Sequence, residues 1–438
     1  MLTLDKKKIA QLKFFLDEIN YNSIINEYIQ KPISPIILNS LEKKASIFIE
    51  LFYLHRVVLL KDAQKFIGKN YLKDLLTLGL IIRDGDKLKP KYEITSINGY
   101  YFIFSYEITK NFDYTYYGPA SLLLTKYLPL NCKVGNILDL GTGTGLHAIL
   151  LSKNASQITG VDISKKTVNT ANFNVILNNV DDVVKIVEGD LFSPFKHQKF
   201  DLIIANPPVV PIPNNYKYPL SGAGGEDGLL FLKKILLVLE NYMTTNGSSI
   251  ILGYTPGDLN APFIVKEIKK IIKINKLDVK ILLLQRDLIE HEILYRSLYL
   301  ALCNPKLILD HESEMRRIYS QINASYVYNY LLKIKRSSTA KLKIIDLAKR
   351  KKKYRKVKIS VMTSFETLEF LFRNYFQNKI YERVIETFEI MQKFHKTFNL
   401  PYNKNIFLPL CVSYMKLGRK KEAAYALSKA KRRSLVRI

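Results

Sequence analysis

A chain of 438 residues is too long for one ordinary domain and predicts two or three. Hydrophobic residues make up 47% and charged residues 24%, the balance of a soluble globular protein with a sizeable core, which excludes a disordered or fibrous chain. The formal net charge of +28 favours polyanionic partners such as RNA, DNA or an anionic membrane surface; the chain is also rich in Lys, Ile, Asn and Tyr and has no Trp, so compositional bias alone accounts equally well for the charge.

The three cysteines, Cys132, Cys303 and Cys411, lie far apart and form no Cys-x-x-Cys pair. They imply neither a disulfide framework nor a zinc site, which suits a reducing cytoplasm. The six histidines show no metal-ligand spacing, and no metal is expected. The start, MLTLDKKKIAQLKFF, lacks the apolar core of a secretory signal, and no apolar run approaches the roughly 18–20 residues of a membrane helix. A cytoplasmic protein with no membrane insertion is the expectation.

Residues 4 to about 56 read as helices, broken at Lys31-Pro32. KDAQKFIG (Lys61–Gly68) and NYLKDLLTLGL (Asn70–Leu80) read as two short helices, followed by a hairpin around Asp84-Gly85-Asp86. Helix, helix, hairpin is a winged-helix order. Lys73 is the one strong cation in the second helix, a poor recognition surface, so a lid, a substrate-binding or a dimerisation module is preferred to a DNA reader. Residues 99–118 are dense in aromatics, and TYYGPASLLLTKYL at their end is placed to fold over a ligand of the strand that follows.

That strand is the centre of the chain. ILDLGTGTGL, Ile137–Leu146, is an apolar run, a glycine turn and a helix start, the first unit of a nucleotide-binding βαβ fold. Strands at Asn136–Leu140, Gln157–Asp162, Val183–Glu188, Phe200–Ala205, Ser248–Leu252, Asp278–Leu284 and Tyr326–Ile334 alternate with helices near 145–154, 165–178, 226–241 and 263–274. This pattern predicts a mostly parallel sheet covered on both faces. Strand ends then carry Asp139, Asp162 (21 residues after Gly141), Asp190 and Asn206, all facing one crevice. An acid ending the second strand can accept both ribose hydroxyls, and one after the third can meet an adenine amino group. The turn lacks the Lys-Ser/Thr ending of a P-loop, so no phosphate is implied. Each feature has a plainer reading taken alone: a helix cap for Asp190, an ordinary turn for Asn-Pro-Pro.

The set ILDLGTGTG, GVDIS, EGDLF and NPPV resembles the class I S-adenosylmethionine-dependent methyltransferases, in the branch that methylates amino or amide nitrogens on planar groups. GAGGEDGLLFLKKIL (Gly222–Leu236) resembles the segment after the NPPY motif of the release-factor glutamine methyltransferases. The resemblance, which covers roughly residues 110–260 well, the first 100 loosely and the last 100 not at all, implies an α/β fold with a Rossmann-like, seven-stranded methyltransferase core; the residue patterns add an N-terminal helical and winged-helix-like domain and a C-terminal all-helical region. The domains expected are 1–110 (substrate or dimerisation), 111–338 (S-adenosyl-L-methionine binding), 339–361 (basic linker) and 362–438 (helical). It implies cofactor contacts at Asp139, Gly141, Thr142, Gly143, Gly145, Asp162, Ile163, Asp190, Leu191 and Asn206, and a substrate nitrogen held by Asn206, Pro207, Pro208 and Val209. Val209 stands where the family usually has Tyr or Phe, which weakens the case for a nucleobase; Tyr216 or Tyr218 is a candidate replacement ring.

In the last segment, YFQNKIYERVIETF from Tyr375 and YMKLGRKKEAAYAL from Tyr414 align without gaps, 39 residues apart, as two tetratricopeptide-like hairpins or a plain helical bundle. The implied activity is methyl transfer to nitrogen. The acceptor is left open among a protein amide, an rRNA base and a nitrogen-bearing small molecule. The alternatives are a small-molecule enzyme with an oxygen or nitrogen target and a non-catalytic cofactor-binding scaffold. The terminal helical regions are candidate surfaces for a protein partner or a second subunit.

Overall fold

The computed structural model describes residues 1–28, 35–105, 115, 117–212, 218–290, 292, 293, 296, 308–348, 372, 376, 381–398 and 406–431. Two compact units emerge: Met1–Arg286 with Ile318–Ala348, and Asp287–Arg317 with Lys349–Ile438.

The first unit begins with helices α1 (Lys6–Glu18), α2 (Tyr21–Tyr28), α3 (Pro35–Ser40) and α4 (Lys43–Phe52). Asp5 caps α1 by accepting the Lys8 N–H, the usual remedy for unpaired amides at a helix start. Strand β1 (Val58–Leu59), helices α5 (Leu60–Phe66) and α6 (Lys69–Leu78), and strands β2 (Ile81–Asp84) and β3 (Lys87–Pro90) follow. The hairpin turns at Asp84–Lys87, and β3 also pairs with β1, closing a three-stranded sheet. A second hairpin, β4 (Tyr92–Ile97) and β5 (Tyr100–Ser105), turns at Asn98-Gly99, both with positive φ (51° and 82°), the geometry such two-residue turns demand.

The main sheet comprises β6 (Val134–Leu140), β7 (Ala155–Asp162), β8 (Val184–Glu188), β9 (Phe200–Ala205), β10 (Met243–Gly257), β11 (Leu277–Leu288), β12 (Tyr326–Arg336) and β13 (Lys341–Asp346), in the order β13-β11-β12-β10-β9-β6-β7-β8. The inner strands are parallel and β12 runs antiparallel to β10. Eight strands replace the seven expected. Residues 341–346, read as the start of a basic linker at 339–361, form β13, parallel to β11. In KLKIID, exposed Lys341 and Lys343 alternate with half-buried Leu342, so the cations lie on one face of a strand.

Alternation along the strands builds two cores. Ile137, Ile158 and Ile204 meet Ile149 of α8 (Leu146–Leu151) and Ala171 and Val175 of α9 (Lys165–Leu177) on one face. Leu138, Ile203 and Ile251 meet α10 (Leu230–Tyr242) and α11 (Ile264–Ile274) on the other. The N-terminal segment is joined to this sheet through α9. Phe173 and Leu177 enter its core, and the buried Asn174 and Asn178, one helical turn apart, bond the backbone of Ile103 and Tyr101 in both directions at 2.7–3.0 Å. These amides replace a missing strand partner for β5.

In the second unit, helices Tyr381–Phe398, Phe407–Lys416 and Lys420–Lys431 pack around Phe388, Leu410, Tyr414 and Ala426, and Gly418 (φ 72°) makes the turn between the last two. The basic run after Ala348, and part of the first tetratricopeptide-like copy, lie outside the described residues. No helix among the described residues is long and apolar enough to cross a membrane.

Candidate active site

Register brings the four strand ends level: Leu140 lies opposite Val161 on β7 and Ala205 on β9, and Asp162 lies opposite Glu188 on β8. The glycine loop, Asp162, the Asp190 turn and Asn206 therefore share the carboxyl edge of the parallel strands, where ligands of such sheets bind.

Gly141, Gly143 and Gly145 all take positive φ (65°, 59° and 79°), so the loop needs glycine for its path. A Cβ on Gly141 would enter open space, leaving room for a ligand against the bare backbone. Thr142 anchors the loop: its N–H donates to the Val161 carbonyl at 3.0 Å, and its hydroxyl donates to Asp139 Oδ2 at 2.7 Å. Gly160 makes this possible, since a Cβ there would lie 2.7 Å from Thr142 Oγ1. Asp139 is 1% exposed and sits beneath the loop. Burial raises its pKa, opposed by the nearby His147, the Thr142 hydroxyl and the Ala148 N–H.

Asp162 accepts the Gly143 N–H at 3.1 Å through one oxygen and the Ser164 N–H at 3.0 Å through the other. Burial raises its pKa as well, against the pull of these backbone donors. Each oxygen keeps a further lone pair, enough to accept two hydroxyls. Ile163 is 55% exposed beside it, an apolar surface for a flat ring. After β8, the Ser193 N–H donates to the Asp190 carbonyl and the Ser193 hydroxyl accepts from the Asp190 N–H, leaving the exposed Asp190 carboxylate at the crevice rim. Leu191 is held at φ 49°, a conformation costly for a leucine and characteristic of functional loops.

On the acceptor side, Asn206 Nδ2 donates to the Ser121 hydroxyl at 3.4 Å. Ser121 belongs to α7 (Pro119–Thr125), which Gly118 and Pro119 open, and its carbonyl lies 2.9 Å from His147 Nε2 on α8. With the amide nitrogen of Asn206 so engaged, its Oδ1 is the atom left to accept from a ligand. Neither Ser121 nor His147 stood out in the sequence; the Pro at a helix start close before the glycine strand was the available signal.

The loop after Asn206 is clamped by the glycine-rich segment at 222–228. Val210 N–H donates to the Gly222 carbonyl (2.8 Å), Gly224 N–H to the Val210 carbonyl (2.8 Å) and Ile212 N–H to the Gly225 carbonyl (2.7 Å). A Cβ on Gly224 would lie 2.7 Å from Val209 Cα, and one on Gly228 would lie 2.4 Å from the Val209 carbonyl. These glycines permit backbone-to-backbone contact. The region 226–229, expected to be helical, is instead this clamp, and α10 starts at Leu230 with the Leu229 N–H donating to Asp227. Val209 is half-buried against the core under α10 and α11, and Tyr218 packs on Gly222. Tyr216 lies outside the described residues.

The fold, with these residues at its strand ends, is of the class I methyltransferase type. The family model of the methyltransferase small domain matches residues 111–214. The chain is 38% identical over 143 residues to a putative protein N5-glutamine methyltransferase of Methanocaldococcus jannaschii, covering 31% of this chain and 71% of that one. It is 45% identical over 123 residues to the release factor glutamine methyltransferase of Thermodesulfovibrio yellowstonii (25% of this chain, 43% of that one). A further match, 39% identical over 128 residues, is the ribosomal protein uL3 glutamine methyltransferase of Francisella tularensis (27% and 41%). The chain thus spans less than half the length of the last two relatives. It belongs to the class I S-adenosylmethionine-dependent methyltransferases that carry the methyltransferase small domain.

Proposed function

We propose that the chain transfers a methyl group to the side-chain amide nitrogen of a protein glutamine. The observation that carries this reading is the acceptor loop: Asn206 is oriented by Ser121 with Oδ1 free, and the backbone directly after its Asn-Pro-Pro, Val209–Ile212, is held by the 222–228 clamp. The relatives named above, which are glutamine methyltransferases, support it.

S-adenosylmethionine supplies an electrophilic methyl on a sulfonium. The residues fit it: Gly141 and Gly143 leave open backbone, Asp162 has lone pairs for the ribose, and Ile163 and Leu191 offer apolar surface beside the Asp190 rim. Asp139 acts from below, through Thr142, on the shape of the loop. Asn206 Oδ1 and the Pro207 carbonyl accept the two N–H bonds of the substrate amide. Two acceptors fix the plane of the –NH2 group, and electron density withdrawn from its N–H bonds moves toward the nitrogen that attacks. Asn206 and Pro207 would hold this nitrogen toward the methyl, whose transfer from sulfur to nitrogen would break the C–S bond as the N–C bond forms, with the amide proton passing to solvent. Catalysis on this reading rests mainly on positioning the nitrogen and on the fixed acceptors that polarise its N–H bonds.

Incubation of the full chain with labelled S-adenosylmethionine and a cell extract, followed by separation of protein, RNA and small molecules, tests this reading. Label in protein that releases N5-methylglutamine on enzymatic digestion is the expected result. Label in nucleosides or small molecules contradicts it.

A further inference from the structure

One corner of the main sheet gathers five lysines against a single acid, Asp278. On β12, Tyr328, Tyr330, Leu332 and Ile334 enter the core under α10 and α11, so Lys333 and Lys335 stand on the opposite face. On β11, Leu277, Val279, Ile281 and Leu283 enter that same core, which turns Asp278 and Lys280 to the lysine side. β13 pairs with β11 so that Lys341 lies opposite Asp278 and Lys343 opposite Lys280. All five lysines are exposed, and none has a carboxylate partner among the described residues; Asp278, half-buried, is the one acid among them. Arg336, on the other face, pairs with Glu240 at 3.1 Å.

Like charges directly opposite on neighbouring strands, roughly 4.8 Å apart, are destabilising. The Lys280–Lys343 pair is such a case, with Lys333 on the adjacent β12. Folding concentrates five lysines around the one carboxylate of Asp278, an excess of positive charge that fits a surface whose counterpart comes from outside.

We propose that this lysine face docks RNA through its phosphate backbone. Lysines are point charges that match phosphates irrespective of base, so the contact is one of position and not of sequence. On β13 the exposed apolar residue, Ile344, lies on the opposite face, so beside Lys341 and Lys343 this strand offers no exposed apolar anchor of the kind a membrane surface would use. The choice of RNA rests on the glutamine reading, because relatives carrying that chemistry are named for a release factor and a ribosomal protein. The height of the face is set by Ile250, which pairs with Lys333 on one side and with Ile204, two residues before Asn206, on the other. β12 is two strands from β9 and β13 is four, so the face lies roughly 10–20 Å beside the acceptor loop. RNA seated there flanks the crevice and leaves it open to a polypeptide.

The test measures anisotropy of a fluorescent RNA duplex with the full chain over a range of salt. The variant Lys280→Gln/Lys333→Gln/Lys343→Gln is compared with Lys61→Gln/Lys65→Gln/Lys69→Gln on α5 and α6. The first should bind at least tenfold more weakly, with the log–log salt slope reduced by about 2–3, close to one for each phosphate that a lysine no longer neutralises. The second should match the parent. Unchanged affinity and slope in the first variant, or equal loss in both, would overturn the proposal. Ultraviolet crosslinking in extract should give a ribonuclease-sensitive adduct that the first variant loses; a deoxyribonuclease-sensitive adduct, or an adduct kept by that variant, contradicts it. Neither readout needs methyl transfer, so failure of the glutamine reading and failure of this one are separable.

Discussion

On the cofactor side of the crevice, position is set by side chains bonded to backbone: Asp162 spans Gly143 and Ser164, and Asp139 holds Thr142 under the glycine loop. On the acceptor side, it is set by backbone packed directly on backbone, where Gly224 and Gly228 press against Val209, and a single side-chain bond from Asn206 to Ser121 completes the arrangement. The first half is built to bind a polar ligand with its own hydrogen-bonding groups. The second, on the proposed reading, holds the two acceptors Asn206 Oδ1 and the Pro207 carbonyl. Variants in the two halves should therefore separate affinity for the cofactor from the rate of transfer.

The largest effect outside Asn206 itself is expected at Gly228. Its φ of 72° costs alanine about 1–2 kcal/mol, and the new Cβ would lie 2.4 Å from the Val209 carbonyl. Gly228→Ala should shift the Asn-Pro-Pro loop and lower turnover on the order of 100-fold, with cofactor affinity by calorimetry close to that of the parent. A variant weakened mainly in cofactor binding would erase the distinction between the halves. Asp162→Ala should do the reverse. Loss of charge-assisted hydrogen bonds worth about 1.5–3 kcal/mol predicts roughly 10- to 100-fold weaker cofactor binding, with turnover largely recovered at saturation. Ser121→Ala removes one neutral bond, so a roughly three- to tenfold fall in turnover with unchanged cofactor affinity is expected, and Ser121→Thr should restore it.

The smallest effect is on stability. Burial holds the pKa of Asp139 above 3.8, so the folded protein keeps this proton to a higher pH than the unfolded chain does. Within that window the folded state binds more protons, and stability falls as pH rises through it. Asp139→Asn keeps an acceptor for Thr142 and removes the ionisation. Thermal melts should show a midpoint at neutral pH at or above that of the parent, with a shallower decline as pH rises from about 4. A lower midpoint across the whole range would mean that the charge itself supports the loop.

Much of this architecture is legible in the sequence, and the exceptions have physical causes. The four strand ends with Asp139, Asp162, Asp190 and Asn206 are readable because apolar runs bounded by turn residues mark parallel strands clearly. β13 is hidden because one of its faces carries lysines, so that KLKIID merges into the cations that follow. The β4–β5 hairpin is signalled by Asn98-Gly99, but that turn lies at the start of an aromatic run whose rings mask it. Ser121 cannot be found from spacing, because α7 reaches Asn206 only through tertiary packing. The 222–228 segment stands out by resemblance, whereas its work as a clamp depends on glycines meeting Val209, a contact that no local pattern encodes.

The most direct test of the account is Asn206→Ala, with cofactor affinity and methyl transfer measured on the same preparation. Asn206 Oδ1 is assigned to the substrate amide, so transfer should fall by on the order of 100- to 1,000-fold while S-adenosylmethionine binds within about twofold of the parent. Turnover near the parent value, or a loss of cofactor affinity that matches the loss of rate, would contradict the assignment.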